Sequence, residues 1–312
     1  MNDLGLRRSV MIAGGTGFVG SALARSLADA GYRVTILSRS AQSKQPNVRF
    51  ITWAPQDPES AATLLVQVMD ETSFVINLSG CSVAGRKWDD DYKQEILASR
   101  VLSTRALVRA MELAEKRPVF FINASAVGYY GPQPGNVAVD ETAPAGSDFL
   151  AEVCTHWEKE AQKAEALGVA TVRLRLGLVL GRGGGMLGKM ALPFKLGIGG
   201  VAGSGQQWMS WIHIDDVIGM INWLMGQPKM SGPINAVSPH PATNRDFSRA
   251  LAKVLRRPLF FKYPASIIRF GSGEMSTLFL EGQNVTPRLA LGAGYQFKFP
   301  DLDRALRDLY IR

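Results

Sequence analysis

Residues 10–39, VMIAGGTGFVGSALARSLADAGYRVTILSR, constrain the fold more than any other stretch, because they spell a complete strand, turn, helix and strand. Residues 10–13 form the short apolar run that a strand buried on both faces needs. The turn that follows, Gly14-Gly15-Thr16-Gly17-Phe18-Val19-Gly20, is nearly free of side chains. Gly14 can take backbone angles closed to other residues, Gly17 admits a ligand to the main chain, and Gly20 lets the next helix pack close to the strand. The pattern predicts a helix over 18–30, with Phe18, Ala22, Leu23 and Leu27 toward the sheet and Gly31 ending it, then a second strand over 33–37. A helix N-terminus with unpaired N–H groups and a positive dipole end suits a diphosphate, so the unit points to a dinucleotide.

The end of the second strand selects among dinucleotides. An Asp or Glu there would take the adenosine ribose hydroxyls, whereas an Arg pairs with a 2′-phosphate. Here the strand ends in Ser38-Arg39-Ser40, and no acid occurs between Gly31 and Asp57. A guanidinium beside a hydroxyl is a good phosphate site, which favours NADP(H) over NAD(H). The alternative is that Arg39 is a solvated loop residue.

The chain has 312 residues, 46% of them hydrophobic and 20% charged, ordinary for a globular protein. No apolar run reaches the length of a membrane span and the first residues lack a signal-type core, so a cytoplasmic protein with no membrane partner is expected. Cys81 and Cys154 lack metal-type spacing, and no metal is expected. The net charge of +8 is spread along the chain without an aromatic-rich binding motif, which argues against nucleic acid. Its densest excess, from Arg245 to Arg269 against the single acid Asp246, reads as a solvated helical face, with an anion site as the alternative.

Further along, strands are expected over 48–53, 73–78, 118–124 and 171–180, and helices over 60–69 and 88–111. The 73–78 strand exits through Leu78-Ser79-Gly80, whose small residues leave room for a ribose. Ser125 follows the 118–124 strand, where a hydroxyl can orient or polarise a substrate oxygen; capping of a turn is the alternative. Of Tyr129 and Tyr130, one phenol is expected to line the cleft. Residues 181–205 are dense in glycine around a helix over 187–196, either a loop that closes on a ligand or a plain crossover. His213 reads as a hydrogen-bonded structural histidine, Asp216 as the cap of a helix over 217–225, and Trp208 and Trp211 as walls of a pocket. A strand over 233–237 and a helix from Thr243 to about Leu255 come next, before a tail that ends in a helix.

The motifs GGTGFVG, NLSG, ASAVGYYG, RLGLVLGRGGGML, SWIHIDD and LEGQNV cover nearly the whole chain. Together they resemble an atypical subgroup of the extended short-chain dehydrogenase/reductases, labelled "epimerase family protein" and carrying a C-terminal domain of unknown function. The resemblance implies an α/β fold: a Rossmann-type doubly wound parallel sheet in residues 1–180, completed by about 210–240, with a smaller C-terminal α/β substrate lobe in 181–312. It also implies that Ser125 is the catalytic hydroxyl and that Arg100 lies near the cofactor. One feature departs from the superfamily pattern. Where its Tyr-x-x-x-Lys pair belongs, this chain offers Cys154 and Glu158, or one turn earlier Leu150 and Cys154. Glu158 is therefore a candidate in the cleft, with a helix-surface carboxylate as the alternative, while Cys154 reads as a small buried hydrophobe.

Two functions follow. The first is an NADP(H)-dependent oxidoreductase or epimerase-like enzyme of a small-molecule substrate, with Ser125 polarising the substrate oxygen and Tyr129 or Glu158 carrying the proton. The second is an NADP(H)-binding regulator with little turnover, since some relatives in the subgroup are linked to cell or plastid division. A homo-oligomer is compatible with either.

Overall fold

The computed structural model describes residues 8–40, 47–133 and 135–311. The first residues of the chain and most of the polar loop after Arg39 lie outside them.

Seven parallel strands form the central sheet: β1 (Ser9–Ala13), β2 (Arg33–Ser38), β3 (Val48–Thr52), β4 (Phe74–Asn77), β5 (Phe120–Ala126), β6 (Ala170–Leu176) and β7 (Gly232–Ala236). Their order is β7-β6-β5-β4-β1-β2-β3. The chain runs outward from β1 in one direction and returns to β4 on the other side. That reversal opens a crevice at the carboxyl ends of β1 and β4, where doubly wound sheets bind ligands.

Strand alternation divides the core between two faces. Val10 and Ile12 of β1 pack with α1 (Phe18–Asp29) and α6 (Ile214–Met225), through Leu23, Leu27, Val217 and Met220. Met11 and Ala13 face α2 (Pro58–Met69), α3 (Asp90–Leu113) and α4 (Phe149–Ala166), through Leu65, Leu107 and Ala161.

A third cluster builds the C-terminal part, where Phe194 of α5 (Gly185–Lys195), Phe247 and Leu251 of α7 (Asn244–Val254) and Leu306 near the terminus meet Trp211. Two-stranded ladders tie this part together, Leu178–Leu180 with Trp211–His213 and Gly200–Ala202 with Phe261–Tyr263 among them.

Three expectations need correction. The strand expected over 171–180 is broken at Gly177, whose N–H donates to Ala236 while Leu178 N–H donates to the Ser210 carbonyl at 2.8 Å. A Cβ on Gly177 would lie 2.5 Å from the Ser210 oxygen, so a glycine permits the change of pairing partner that sends the chain out of the sheet. Asp216 does not cap α6. His213 does, accepting the Asp215 N–H on Nδ1 at 3.1 Å, while buried Asp216 accepts the Lys298 and Phe299 N–H groups at 2.6 and 2.9 Å. Trp211 walls no pocket, being fully buried with its indole N–H on the His240 carbonyl.

Candidate functional site

The glycine turn adopts the geometry that its sequence requires. Gly14 has φ +77, and a Cβ there would approach the Leu78 carbonyl carbon and oxygen to 2.7 Å. A Cβ on Gly20 would lie 2.2 Å from the Gly14 oxygen, closer than any real contact, so α1 packs against the turn only because Gly20 has no side chain. Gly17 caps α1 without a side-chain hydrogen bond, and the first turn of the helix carries no acid. Thr16 and Gly17 are exposed, with Phe18 and Val19 half-buried behind them. N–H groups at an uncapped, acid-free helix start fit a diphosphate, so the donor set suits a dinucleotide.

Across the crevice, Leu78 and Ser79 are half-buried and Gly80 is exposed. Ser79 N–H is held by Asn77 Oδ1 at 3.1 Å. Asn77 in turn donates to Thr104 Oγ1 and Asn123 Oδ1, and Trp157 Nε1 donates to Thr104, so a buried polar knot fixes this strand exit. Arg100 supports the same loop from below. Its guanidinium donates to the Cys81 carbonyl at 3.1 Å and the Ile96 carbonyl at 2.9 Å, and lies over the Trp157 ring. At the end of β2, Arg39 is exposed, whereas Ser38 is buried and its hydroxyl accepts the Ser40 N–H at 3.3 Å. The Phe18 ring seats on the glycine-dense segment, where a Cβ on Gly184 would meet it at 2.3 Å.

The second half of the site is a row of polar side chains made by strand register. Ser125 on β5 is level with Arg175 on β6, and Arg175 with Asn235 on β7, so the pleat places all three on one face. That face is covered by α4, which brings Glu158. The Ser125 hydroxyl donates to Glu158 Oε1 at 2.7 Å. Arg175 grips the same carboxylate with both arms of its fork, Nε to Oε1 at 2.8 Å and Nη2 to Oε2 at 2.9 Å. Its remaining arm donates to the Tyr130 hydroxyl at 2.9 Å, which donates to Asn235 Oδ1 at 2.7 Å. Burial pushes the Tyr130 phenol up to about 12, against the lowering effect of Arg175. Burial also opposes the Arg175 charge, but the hydrogen bonds and charge of Glu158 outweigh it and raise the guanidinium pKa.

Tyr129 stands differently. The Arg175 guanidinium lies 3.5 Å from its ring centroid, the phenol is half-buried, and its hydroxyl has no hydrogen-bond partner among the described residues. Of the two phenols, Tyr130 is locked in the core and Tyr129 is the one with a free hydroxyl. Cys154 is buried, with its thiol on the Ala126 carbonyl at 3.7 Å, and burial pushes the thiol up to about 11, which makes it a poor nucleophile. Ser125 and Glu158 are thus brought into direct contact, Tyr129 is joined to them through Arg175, and Ser125 is only 2% exposed.

The sequence pattern points to no site role for Arg175 or Asn235, and it leaves Tyr129 and Tyr130 as alternatives for the cleft. The signal was present in part: two arginines in the apolar strand TVRLRL must find buried partners, and α4 supplies Glu158 and Glu165. Trp208, expected to wall a pocket, lines a shallow cavity of about 370 Å³ with Gln133, Gln207 and Leu280.

Comparison with known proteins agrees with this architecture. The model of the NAD dependent epimerase/dehydratase family matches residues 10–274, and that of a domain of unknown function, DUF1731, matches residues 263–309. Epimerase family protein YfhF of Bacillus subtilis is 37% identical over 302 residues, covering 96% of this chain and 97% of the relative. Epimerase family protein SDR39U1 of Mus musculus is 38% identical over 304 residues, covering 96% and 99%. The crystal structure of human epimerase family protein SDR39U1 with NADPH superposes with a TM-score of 0.85 at 33% identity, covering 97% of this chain and 99% of that one.

Proposed function

Because the chain belongs to the NAD dependent epimerase/dehydratase family, we propose that it is an NADP(H)-dependent oxidoreductase or epimerase-like enzyme acting on a small molecule. Residues 1–180 with the strand near 210–240 hold the cofactor, and residues 181–312 supply the substrate lobe. Residues 14–20 take the diphosphate on the uncapped start of α1, and Leu78, Ser79 and Gly80 line the ribose. Arg39, exposed at the end of β2, pairs with the 2′-phosphate. The single observation that carries the reading is this acid-free turn and strand end, and an NADPH-bound relative of 33% identity supports it.

When bound, the nicotinamide supplies hydride exchange with a carbon of the substrate. The chain's own residues handle the proton. Tyr129 is the proton carrier, because its half-buried hydroxyl is unengaged and its ring lies against the Arg175 guanidinium that also holds Glu158. Glu158 is the anchor: with Arg175 on both oxygens it orients the Ser125 hydroxyl, leaving the Ser125 lone pairs to accept from a substrate hydroxyl. A cation and a phenol supplied by β6 and the segment after β5 thereby replace the Tyr-x-x-x-Lys pair that α4 lacks.

A second reading, an NADP(H)-binding regulator with little turnover, is favoured by one observation. The Ser125 hydroxyl is spent on Glu158 and nearly inaccessible.

Two measurements test these readings. NADPH and NADH titrations should show preference for NADPH, lost in Arg39→Ala; equal affinity for the two, or an unchanged Arg39→Ala, refutes the cofactor assignment. NADPH oxidation across carbonyl compounds and nucleotide sugars, abolished in Tyr129→Phe, supports the enzyme. Tight binding with no turnover on any of them supports the regulator.

A further inference from the structure

The C-terminal part presents apolar side chains that no core accounts for. Phe260 is 83% and Phe270 92% exposed, and Phe261, Ile267, Leu196 and Ile198 are exposed as well. Contacts join part of this set, and the rest adjoins it in the chain. Leu196 and Ile198 follow α5, the Ile198 carbonyl accepts the Tyr263 hydroxyl, and Phe261 stacks on Tyr263 in the strand that pairs with Gly200–Ala202. The next helix, α8 (Ala265–Ser272), buries none of its residues, and its Ile267 and Phe270 lie one turn apart on the same side.

The segments that carry these residues hold charge of one sign. Residues 183–214 and 247–273 contain no Asp or Glu. Among the described residues, Lys195, Arg256, Arg257, Lys262 and Arg269 pair with no carboxylate, whereas Arg249 and Lys253 pair with Asp246 and Asp303. A face that is both apolar and uncompensated in positive charge requires a partner that is apolar inside and anionic outside.

We propose that this face docks the protein peripherally on an anionic lipid surface, with Phe260, Phe270 and Ile267 entering the interface and Arg256, Arg257, Lys262 and Arg269 on the headgroups. Aromatic and aliphatic side chains beside unpaired Lys and Arg are what such binding uses, and it needs no spanning helix. It therefore departs from the expectation of no membrane partner, which rested on the lack of a spanning run. A second copy of the chain fits less well, because a symmetric interface would set this cation cluster against itself.

Sedimentation of the full chain with vesicles tests the proposal. Vesicles of phosphatidylcholine with about one-third phosphatidylglycerol should pellet the protein, and phosphatidylcholine alone should not. Phe260→Ser with Phe270→Ser should abolish pelleting. Lys262→Gln with Arg269→Gln should weaken it by about tenfold or more, since about 1 kcal/mol per basic residue is about fivefold each. Circular dichroism melts unchanged from the parent show that the variants are folded. Failure to pellet on anionic vesicles, equal pelleting on neutral ones, or unchanged pelleting of the Phe260→Ser, Phe270→Ser variant overturns the proposal. So does a concentration-dependent dimer that this variant abolishes in the absence of lipid binding.

Discussion

Removing the Glu158 carboxylate should be among the most damaging single changes in this protein. The Arg175 side chain is 3% and the Glu158 side chain 6% exposed, so Glu158→Ala leaves a guanidinium buried with two donors unanswered and strands the Ser125 hydroxyl. Breaking a buried pair by removing one partner costs about 3–5 kcal/mol. Arg173 adds little to the loss, since it lies 3.7 Å from Glu158 and keeps Glu165 as its closer partner. The expected fall in midpoint is about 5–8 °C for a chain of 312 residues. Urea unfolding followed by circular dichroism, with the slope unchanged, reads the effect as stability. Glu112→Ala serves as the control, because Glu112 is exposed, half-buried Arg109 keeps Glu59 as a partner, and such surface pairs are worth at most about 1 kcal/mol. Glu158→Leu combined with Arg175→Met removes both charges and should recover most of the loss, since apolar replacement of a buried pair is often neutral or stabilising. A Glu158→Ala cost within about 1 kcal/mol of the Glu112→Ala control, or a double variant no better than the single, refutes the buried-anchor account.

Other outcomes follow from the same geometry. Gly20→Ala should abolish the thermal shift given by NADPH and destabilise the fold, because its Cβ would meet the Gly14 oxygen at 2.2 Å; Gly31→Ala, at φ +82 with open space around it, should cost only about 1 kcal/mol and keep the shift. Thiol titration of the native protein should find Cys154 unreactive and half-buried Cys81 slowly reactive, with both reacting in denaturant; rapid labelling of Cys154 would contradict its burial. Asp140 is held down at about 2 by the Thr142 hydroxyl and N–H and by Arg288. A lowered folded pKa gives stability that is complete above the unfolded value near 3.9 and lost as pH falls toward about 2, so Asp140→Asn should flatten the acid limb of the stability profile over that window.

What could be read from sequence was whatever rests on local patterning. Residues 10–39 determine β1, the turn, α1 and β2 by themselves, because an apolar run, glycines at fixed spacing and an amphipathic period all act within one turn of chain. The exit at Leu78 and the place of Ser125 near the carboxyl end of β5 were legible for the same reason. What tertiary structure alone decided is which side chains meet. Tyr130 and Asn235 are 105 residues apart, and Ser125 and Glu158 are 33, yet register across β5, β6 and β7 sets them in one network. Asp216 misled for the complementary reason: its local position suits a cap, but both its carboxylate oxygens accept the Lys298 and Phe299 N–H groups, distant in sequence. A propensity is a property of a few neighbouring residues, whereas a buried polar group is satisfied by whatever the packed sheet brings beside it, and only the completed fold states what that is.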